Sequence, residues 1–356
     1  MSERWHAPGR VNLIGDHTDY NEGFVLPMAI DRECLVAIAP GTDDRVRARS
    51  HEIAGAVDVA ANGGDNPRAV EPAWGRFVAG AVQAVTERGA RLPGLELEVS
   101  STVPTGSGLS SSSALSVALT LGLADAGGIE LDRHEAAHVA LDAEVRATGV
   151  PGGLMDQLTS LFGEADHALL IDCRSLDMEP IPIPDQMAVL VVHSGLPRTL
   201  VGSAYADRRA ACERAAADLG LASLRDATLD QVRDNPKARH VVTENARVLA
   251  CADALRVHDI DAIGPLLLAS HASLRDDFEV STPELDLLVD LLVDVGALGA
   301  RLTGAGFGGC VVAIAPARDA HAVLAHTADR YRATSGLEPS VFVAHASSAA
   351  GRSLVL

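Results

Sequence analysis

Aromatic residues, paired cysteines and long apolar runs are scarce or absent in this sequence, and each shortage excludes a class of protein. Only 3% of the 356 residues are Phe, Trp or Tyr, so the core must be built from Val, Leu, Ile and Ala. The five cysteines are odd in number and form no Cys-x-x-Cys pair, which argues against a disulfide framework or a zinc site. No apolar run approaches the length of a membrane span, and the first ten residues hold no signal-peptide core. We therefore expect a cytoplasmic protein without a membrane partner.

Basic residues are also in short supply. The sequence has 29 Lys and Arg against 48 Asp and Glu, a net charge of −19. A surface this acidic repels nucleic acid and anionic lipid, so we expect no nucleic-acid partner. It would equally repel a polyphosphate. A protein of this kind can bind one only with a local positive field, a divalent cation or backbone N–H groups.

Strand-like and helix-like segments mingle in both halves of the chain without the regular alternation of a doubly wound sheet, which indicates an α+β fold. The residue patterns predict strands over residues 32–40, 95–103, 167–172 and 187–194. They predict helices over residues 73–88, 131–147, 203–219, 239–255 and 258–274. The length suits two domains of ordinary size.

Prolines at 180, 182 and 184 interrupt the segment that follows the predicted strand 167–172. Proline at alternate positions cannot belong to a central strand, so this segment is predicted to be a sheet edge or a linker. We place the boundary between the two domains here, giving domains 1–180 and 181–356.

The strongest local pattern is VPTGSGLSSSSAL, residues 103–115, between a predicted strand and an apolar helix. Gly106 and Gly108 permit backbone conformations closed to other residues, and the free N–H groups of the following helix can bind an anion without lysine. The segment is not a Walker A loop, because no Gly-Lys-Ser/Thr follows, and Ser111 replaces the third glycine of a dinucleotide fingerprint. A Gly/Ser turn that merely caps a core helix is an equally good interpretation of this segment alone.

A second polar cluster lies in APGRVNLIGDHTDYNEGFVLPMAI, residues 7–30. Arg10, Asp16, His17 and Asp19 surround a short apolar strand, and such side chains can bind the hydroxyl groups of a sugar. Taken alone, a solvated turn rich in Asp and Asn is the favoured interpretation.

Residues 7–30 resemble the galactokinase signature almost residue for residue, and segment 103–115 resembles the phosphate motif of the wider GHMP kinase superfamily. GVPGGLMDQ (149–157) is similar to the galactokinase segment that carries the catalytic aspartate, and RLTGAGFGGCVVAI is similar to the third superfamily motif. The four matches stand in family order and cover most of the chain. The resemblance implies a two-domain GHMP kinase fold with mixed sheets, helices in both domains and the active site in the cleft between them.

The resemblance also implies an activity, the ATP-dependent phosphorylation of the anomeric hydroxyl of D-galactose to α-D-galactose 1-phosphate. It implies a catalytic Asp156 with Arg10 as its partner, and Mg²⁺ ligands at Ser112 and Glu144. The sugar-binding residues that it implies are Asp16, His17, Thr18, Asp19, Gly153 and Tyr205. The ATP-binding residues that it implies are Gly106, Ser107, Gly108, Leu109, Ser110, Ser111 and Ser112. The partners are then a small-molecule sugar and MgATP, and a monomer is expected, with a weak dimer as the alternative.

Each assignment has an ordinary alternative when the residues are taken alone. Glu144 could belong to a solvated helix face, Asp156 could cap a helix, Tyr205 could be a half-buried core residue, and Arg10 could form a surface ion pair. Low aromatic content leaves no obvious stacking residue for adenine.

The chain departs from the family pattern in two places. Galactokinases usually carry Glu at the position of Asp16, where the carboxylate binds the hydroxymethyl group of the sugar. Because Asp is one methylene shorter than Glu, the contact between this carboxylate and the hydroxymethyl group is direct, water-bridged or lost. This leaves open a second hypothesis, an anomeric kinase for another sugar such as N-acetylgalactosamine or arabinose. A sugar and ATP sensor without catalysis is the third hypothesis. In addition, only six residues precede Ala7, fewer than is usual, so we expect either a start further upstream or a missing N-terminal element.

Overall fold

Two β-sheets organise residues 3–196 and 201–353, which the computed structural model describes. The first sheet contains β1 (Glu3–Ile14), β2 (Phe24–Pro40), β3 (Arg45–Ser50), β4 (Ala56–Ala60), β5 (Leu95–Ser101), β6 (His167–Asp172), β7 (Met178–Pro182) and β12 (Gly351–Arg352). Its main order is β12-β1-β2-β5-β3-β4, with β6 paired to β2 and β7 paired to β6. The second sheet contains β8 (Met187–His193), β9 (Gly299–Thr303), β10 (Cys310–Pro316) and β11 (Ser340–Ala344), in the order β11-β8-β10-β9.

Helices pack against both sheets. They are α1 (Gly75–Glu87), α2 (Ser111–Ala126), α3 (Arg133–Thr148), α4 (Met155–Phe162), α5 (Val201–Asp218), α6 (Pro236–Arg256), α7 (Ile260–Asp276), α8 (Pro283–Asp294) and α9 (Ala320–Ser335). Small residues allow close packing: a Cβ on Gly80 of α1 would lie 2.4 Å from the carbonyl oxygen of Ala143 in α3. Within the described ranges, no helix combines the length and apolar character that crossing a bilayer requires.

Side-chain caps fix the start of several helices. The Asp132 carboxylate accepts a hydrogen bond from the backbone N–H of Glu135, whose own carboxylate accepts one from the Asp132 N–H, a capping box at the start of α3. Asn235 caps α6, which begins with a proline at a position where no helical N–H is needed. These local patterns explain why the helix starts can be located in the sequence.

The predicted α+β class is confirmed, and the predicted strands and helices all occur. The segment predicted as strand 32–40 is the second part of the longer β2, and strand 167–172 coincides with β6. The proline-interrupted segment forms β7, which pairs only with β6 and so is the predicted edge. Sequence reasoning did not identify β3, β4, β9, β10, β12, α4 or α8.

The chain leaves the first sheet between Pro182 and Met187, where β7 ends and β8 begins. The chain returns to the first sheet near its C-terminal end, where Ala346 forms a β-bridge with Ile30 and β12 pairs with β1. A buried apolar cluster that includes Leu26, Val189 and Val312 draws on strands of both sheets. The boundary placed at residue 180 stays a prediction.

Candidate active site

A cavity of about 530 Å³ lies where the two halves of the chain meet. Its walls come from the end of β1 and the loop that follows, from the Gly-Ser segment, from α3 and the start of α4, and from Tyr205 and Gly304 in the second half. Of the residues predicted for a site, the structure brings to this cavity Arg10, Asp16, His17, Asp19, Gly106, Gly108, Ser110, Ser111, Ser112, Glu144, Gly153, Asp156 and Tyr205.

The Gly-Ser segment turns sharply before α2. Gly106, Gly108 and Ser110 have φ of +70°, +87° and +60°, a left-handed conformation that glycine adopts without strain. Ser110 occupies the N-cap position of α2 without a side-chain capping hydrogen bond, and Ser111 and Ser112 line the cavity. The N–H groups of the first helical turn and the helix dipole therefore suit an anion here.

Three other predicted residues do not line the cavity. Leu109 is fully buried, and the Ser107 hydroxyl donates to the Pro104 carbonyl at 2.7 Å. The Thr18 hydroxyl lies 2.7 Å from the carbonyl oxygens of both Gly15 and Phe24. Their side chains hold the local backbone, so any contact of Ser107 or Leu109 with a ligand would come from the main chain.

Arg10 joins the Gly-Ser segment to α4. Its Nε donates to Asp156 Oδ1 at 2.7 Å, its Nη1 donates to the Gly108 carbonyl at 2.6 Å, and its backbone N–H donates to the Leu109 carbonyl at 3.0 Å. The Ser110 hydroxyl donates to Asp156 Oδ2 at 2.5 Å. Arg10 is only 5% exposed, so it is not a surface ion-pair partner. Asp156 lies in the first turn of α4 but does not cap it.

Glu144 lines the cavity from α3 and is only half-buried. Its carboxylate accepts hydrogen bonds from Ser113 Oγ and Gln157 Nε2, both at 2.8 Å, and Ser112 lines the cavity beside it. Burial raises the pKa of Glu144, and the charge of Asp156 raises it further against the effect of the serine hydroxyls. Gln157 was not singled out from the sequence, although it directly follows Asp156.

The donor set around Glu144 fits a magnesium ion. Carboxylate and hydroxyl oxygens are ligands that Mg²⁺ accepts. A nearby cation would lower the pKa of Glu144 and so counteract the rise that burial causes. No group of three or more His, Cys, Asp or Glu side chains placed to hold a metal occurs among residues 3–196 and 201–353. Mg²⁺ typically takes one or two protein ligands and completes its shell with phosphate and water, so a sparse set is what it needs.

The loop between β1 and β2 together with Phe24, the first residue of β2, is called the 15–24 loop and carries His17 and Asp19. His17 has φ of +66°, and its Nδ1 lies 2.9 Å from the Tyr20 hydroxyl. The His17 ring lies 5.7 Å from the Tyr205 ring and 4.6 Å from the Phe278 ring, so α5 and the turn after α7 pack against this loop. Burial lowers the pKa of His17 to about 3, which keeps the imidazole neutral at physiological pH.

Asp19 and Gly153 lie side by side in the cavity wall. A Cβ on Gly153 would lie 2.0 Å from Asp19 Oδ2, so only glycine fits beside this carboxylate. Burial raises the pKa of Asp19 to about 6, and the neighbouring charge of Asp156 adds to the rise. The carboxylates of Asp19 and Asp156 are therefore close enough to interact electrostatically.

Asp16 is only 2% exposed and forms an ion pair with Arg301 of β9. Its Oδ1 also accepts a hydrogen bond from Asn12 Nδ2 at 3.1 Å. The Arg301 side chain is fully buried and donates to the carbonyls of Asn12 and Leu13 at 3.1 and 3.2 Å. Both oxygens of Asp16 are thus engaged by the protein. Arg301 lies in a segment that was identified from the sequence only as a motif, and a single Arg beside an apolar run is the signal that could have revealed it.

Part of the cavity wall is apolar, formed by Cys34, Trp74, Phe77, Val99 and Leu115. Trp74 is 7% exposed, and its buried indole Nε1 has no hydrogen-bond partner. Such a wall offers aromatic surface to a planar base. The sequence signal was the pair Trp74 and Phe77 at the start of α1.

Three family models match parts of this chain. The model of the galactokinase galactose-binding signature matches residues 3–40, that of the GHMP kinases N terminal domain matches residues 76–164, and that of the GHMP kinases C terminal matches residues 251–333. A galactokinase of Roseiflexus sp. (strain RS-1) is 42% identical over 361 residues, which cover 97% of this chain and 92% of the relative.

Solved structures share the fold. The structure of Lactococcus lactis galactokinase complexed with galactose matches with a TM-score of 0.92 and 31% identity, covering 98% of this chain and 95% of that one. A mevalonate kinase of Methanococcus jannaschii matches with a TM-score of 0.73 at 18% identity, covering 98% and 99% of the two chains, which is a likeness of fold alone.

Proposed function

This chain belongs to the galactokinase family of GHMP kinases, and from that premise we propose the roles of its cavity residues in the phosphorylation of galactose. The chain is a sugar kinase that uses ATP and galactose as small-molecule substrates. The observation that carries the residue assignment is the Arg10–Asp156–Ser110 contact, which joins a carboxylate to the Gly-Ser segment inside one cavity.

Asp156 receives the proton of the anomeric hydroxyl. A sugar hydroxyl is a poor nucleophile, and a carboxylate within hydrogen-bond reach can accept its proton. The new O–P bond forms as the bond between the γ-phosphorus and its bridging oxygen breaks, and ADP leaves. Arg10 and Ser110 hold the two carboxylate oxygens, which fixes their direction. The Arg10 guanidinium also supplies positive charge next to the Gly-Ser segment, where negative charge develops during phosphoryl transfer.

The phosphates of ATP bind at Gly106–Ser112. The support is the left-handed turn at Gly106 and Gly108 and the N-terminus of α2, which together offer backbone N–H groups rather than lysine. Ser112 and Glu144 would hold a magnesium ion, which would supply positive charge next to the phosphates. The adenine occupies the apolar wall that contains Trp74 and Phe77. This arrangement resolves the conflict between an acidic protein and an anionic substrate.

The sugar binds along the 15–24 loop. Asp19, the backbone of Gly153, His17 and Tyr205 offer acceptors and donors for its hydroxyl groups. Asp16 contributes from the same loop, but its oxygens already contact Arg301 and Asn12, which favours a hydroxyl contact shared with those partners. Thr18 supports the shape of this loop through its hydroxyl, which lies 2.7 Å from the carbonyl oxygens of Gly15 and Phe24. The cytoplasmic location and the monomeric state stay predictions from the sequence.

Coupled ADP release with MgATP tests this function across galactose, N-acetylgalactosamine, arabinose, glucose and mevalonate. We expect turnover on galactose, with little on the others, because the family relationship extends over nearly the whole chain. A clear preference for another sugar would mean that Asp16 has reshaped the pocket. Tight binding of galactose and ATP without ADP release would support the sensor hypothesis instead.

A pH profile tests Asp19. Because burial and Asp156 raise its pKa to about 6, Asp19 is ionised at pH 8 and protonated at pH 5. Protonation removes acceptor capacity, so kcat/KM for galactose should fall as the pH drops through about 6. The Asp19→Asn variant should have a low kcat/KM and lack this inflection. An Asp19→Asn profile with the same inflection as the unmodified chain would assign the titration to another group.

A further inference from the structure

Three side chains of α6 bind the backbone of the 15–24 loop near both of its ends. His240 Nε2 lies 3.1 Å from the Asp16 carbonyl oxygen, and Glu244 Oε1 accepts a hydrogen bond from the Gly15 N–H at 3.1 Å. Asn245 Oδ1 accepts a hydrogen bond from the Phe24 N–H at 2.9 Å. The spacing of four residues places His240 and Glu244 on one face of the helix, and Asn245 lies about 100° further around it. The loop from the first half of the chain is thus held by a helix of the second half.

Glu244 is the charged member of this set and is completely buried. Its Oε1 also accepts a hydrogen bond from the Ser270 hydroxyl at 2.6 Å, and its Oε2 forms an ion pair with Arg247 Nε at 2.7 Å. Burial alone would raise the pKa of Glu244, but Arg247, His240 and Arg301 lower it to about 2, so the group is ionised. A buried carboxylate is expensive to maintain, and the Gly15 N–H is one of only a few groups that it contacts.

The loop transmits the position of Gly15 to the residues that follow. Gly15 has φ of +105°, and a Cβ there would lie 2.9 Å from the Phe24 carbonyl oxygen and from Val248 Cγ2. The Thr18 hydroxyl lies within hydrogen-bond distance, 2.7 Å, of the carbonyl oxygens of both Gly15 and Phe24, so it holds the two ends of the loop near each other. A shift of Gly15 therefore moves Asp16 and His17, which line the cavity. Glu244 itself is not among the cavity-lining residues of the described chain.

We propose that Glu244 is a positioning residue for the sugar, which sets sugar affinity by fixing Gly15 and the adjoining 15–24 loop without touching sugar or ATP. The inference rests on the proposed function, in which this loop binds the sugar. Glu244 should affect binding of the sugar but not of ATP. The Gly-Ser segment, which we propose to bind ATP, is held by hydrogen bonds with Arg10 rather than by α6.

Steady-state kinetics of Glu244→Met and Glu244→Gln in the full chain test the proposal. Met removes the acceptor for the Gly15 N–H and should raise KM for galactose about 10- to 100-fold, in line with the effect of small misplacements. KM for MgATP should stay within about two-fold, since the ATP contacts are unchanged. Gln keeps a carbonyl oxygen for Gly15 and should recover most of the lost affinity.

A general loss of protein stability must be distinguished from a displacement of the 15–24 loop. Leu288→Ala empties part of the second-half core on α8, far from the loop in sequence, and serves as a control with a comparable fall in Tm. A KM for galactose in Glu244→Met within two-fold of the unmodified chain would overturn the proposal, and so would an equal rise of KM in Leu288→Ala. If Glu244→Met does not fold, Asn245→Ala takes its place, because it removes the Phe24 contact at the other end of the loop. Absence of galactose turnover in the unmodified chain would refute the proposed function rather than this role.

Discussion

Replacing Asp156 by Asn should lower kcat for galactose by about 10²- to 10⁴-fold, the usual contribution of a general base. Asn has nearly the same shape but cannot accept the sugar proton, and it carries no charge to pair with Arg10. The backbone N–H groups that we propose for phosphate binding in the Gly-Ser segment do not contact Asp156, so we expect ATP still to bind. Initial rates of ADP release and calorimetric titration with ATP measure the two effects separately.

Asp142→Asn is the matched control for this substitution. Asp142 is a carboxylate on α3 that forms an ion pair with Arg146 at 2.9 Å and does not line the cavity. Its kcat should equal that of the unmodified chain. If Asp156→Asn retains most of its activity, the assignment of Asp156 as the proton acceptor is wrong. A loss of ATP binding in Asp156→Asn would instead mean that the Arg10–Asp156 pair holds the Gly-Ser segment in shape.

Replacing Arg301 by Met should lower the free energy of unfolding by about 3 to 5 kcal/mol, as expected when one member of a buried ion pair is removed. Met fills a similar volume, but it leaves the Asp16 carboxylate, 2% exposed, without its cation. The carbonyls of Asn12 and Leu13 lose a donor as well. Urea unfolding followed by circular dichroism measures the change.

A double variant and an exposed pair provide the controls. Asp16→Asn combined with Arg301→Met removes both charges and should recover part of the stability that Arg301→Met loses, since no unpaired buried carboxylate remains. Arg318 forms an exposed ion pair with Asp319 at 3.4 Å, so Arg318→Met should change the free energy by less than about 1 kcal/mol. Equal losses for Arg301→Met and Arg318→Met would show that the buried pair does not stabilise the fold.

Most of the fold could be predicted from the sequence because its elements carry strong local patterns. The missed α8 carries such a pattern too, with Thr282 as cap and Pro283 in the first turn. The two short strands β3 and β4 have fewer residues from which to establish a period. The site was predicted only where its residues are contiguous in motifs.

The residues that were missed act across long sequence separations. Arg301 and Asp16 are 285 positions apart, and Glu244 and Gly15 are 229 apart. Neither pairing has a local signature, because an Arg in a buried strand or a Glu on a helix gives no indication of its partner. The apolar wall around Trp74 likewise combines strand, helix and loop residues that only the tertiary fold brings together.

The same long-range pairing has a consequence for how the protein is made. The Gly-Ser segment, Glu144 and Asp156 all belong to the first 160 residues, so a growing chain could assemble this part of the site early. The ion pair of Asp16 also needs Arg301, which is made 145 residues after Asp156, roughly 7 to 30 seconds later at about 5 to 20 residues per second. An unfinished chain on the ribosome therefore contains the residues that we propose for nucleotide binding well before it contains the cation that pairs with Asp16.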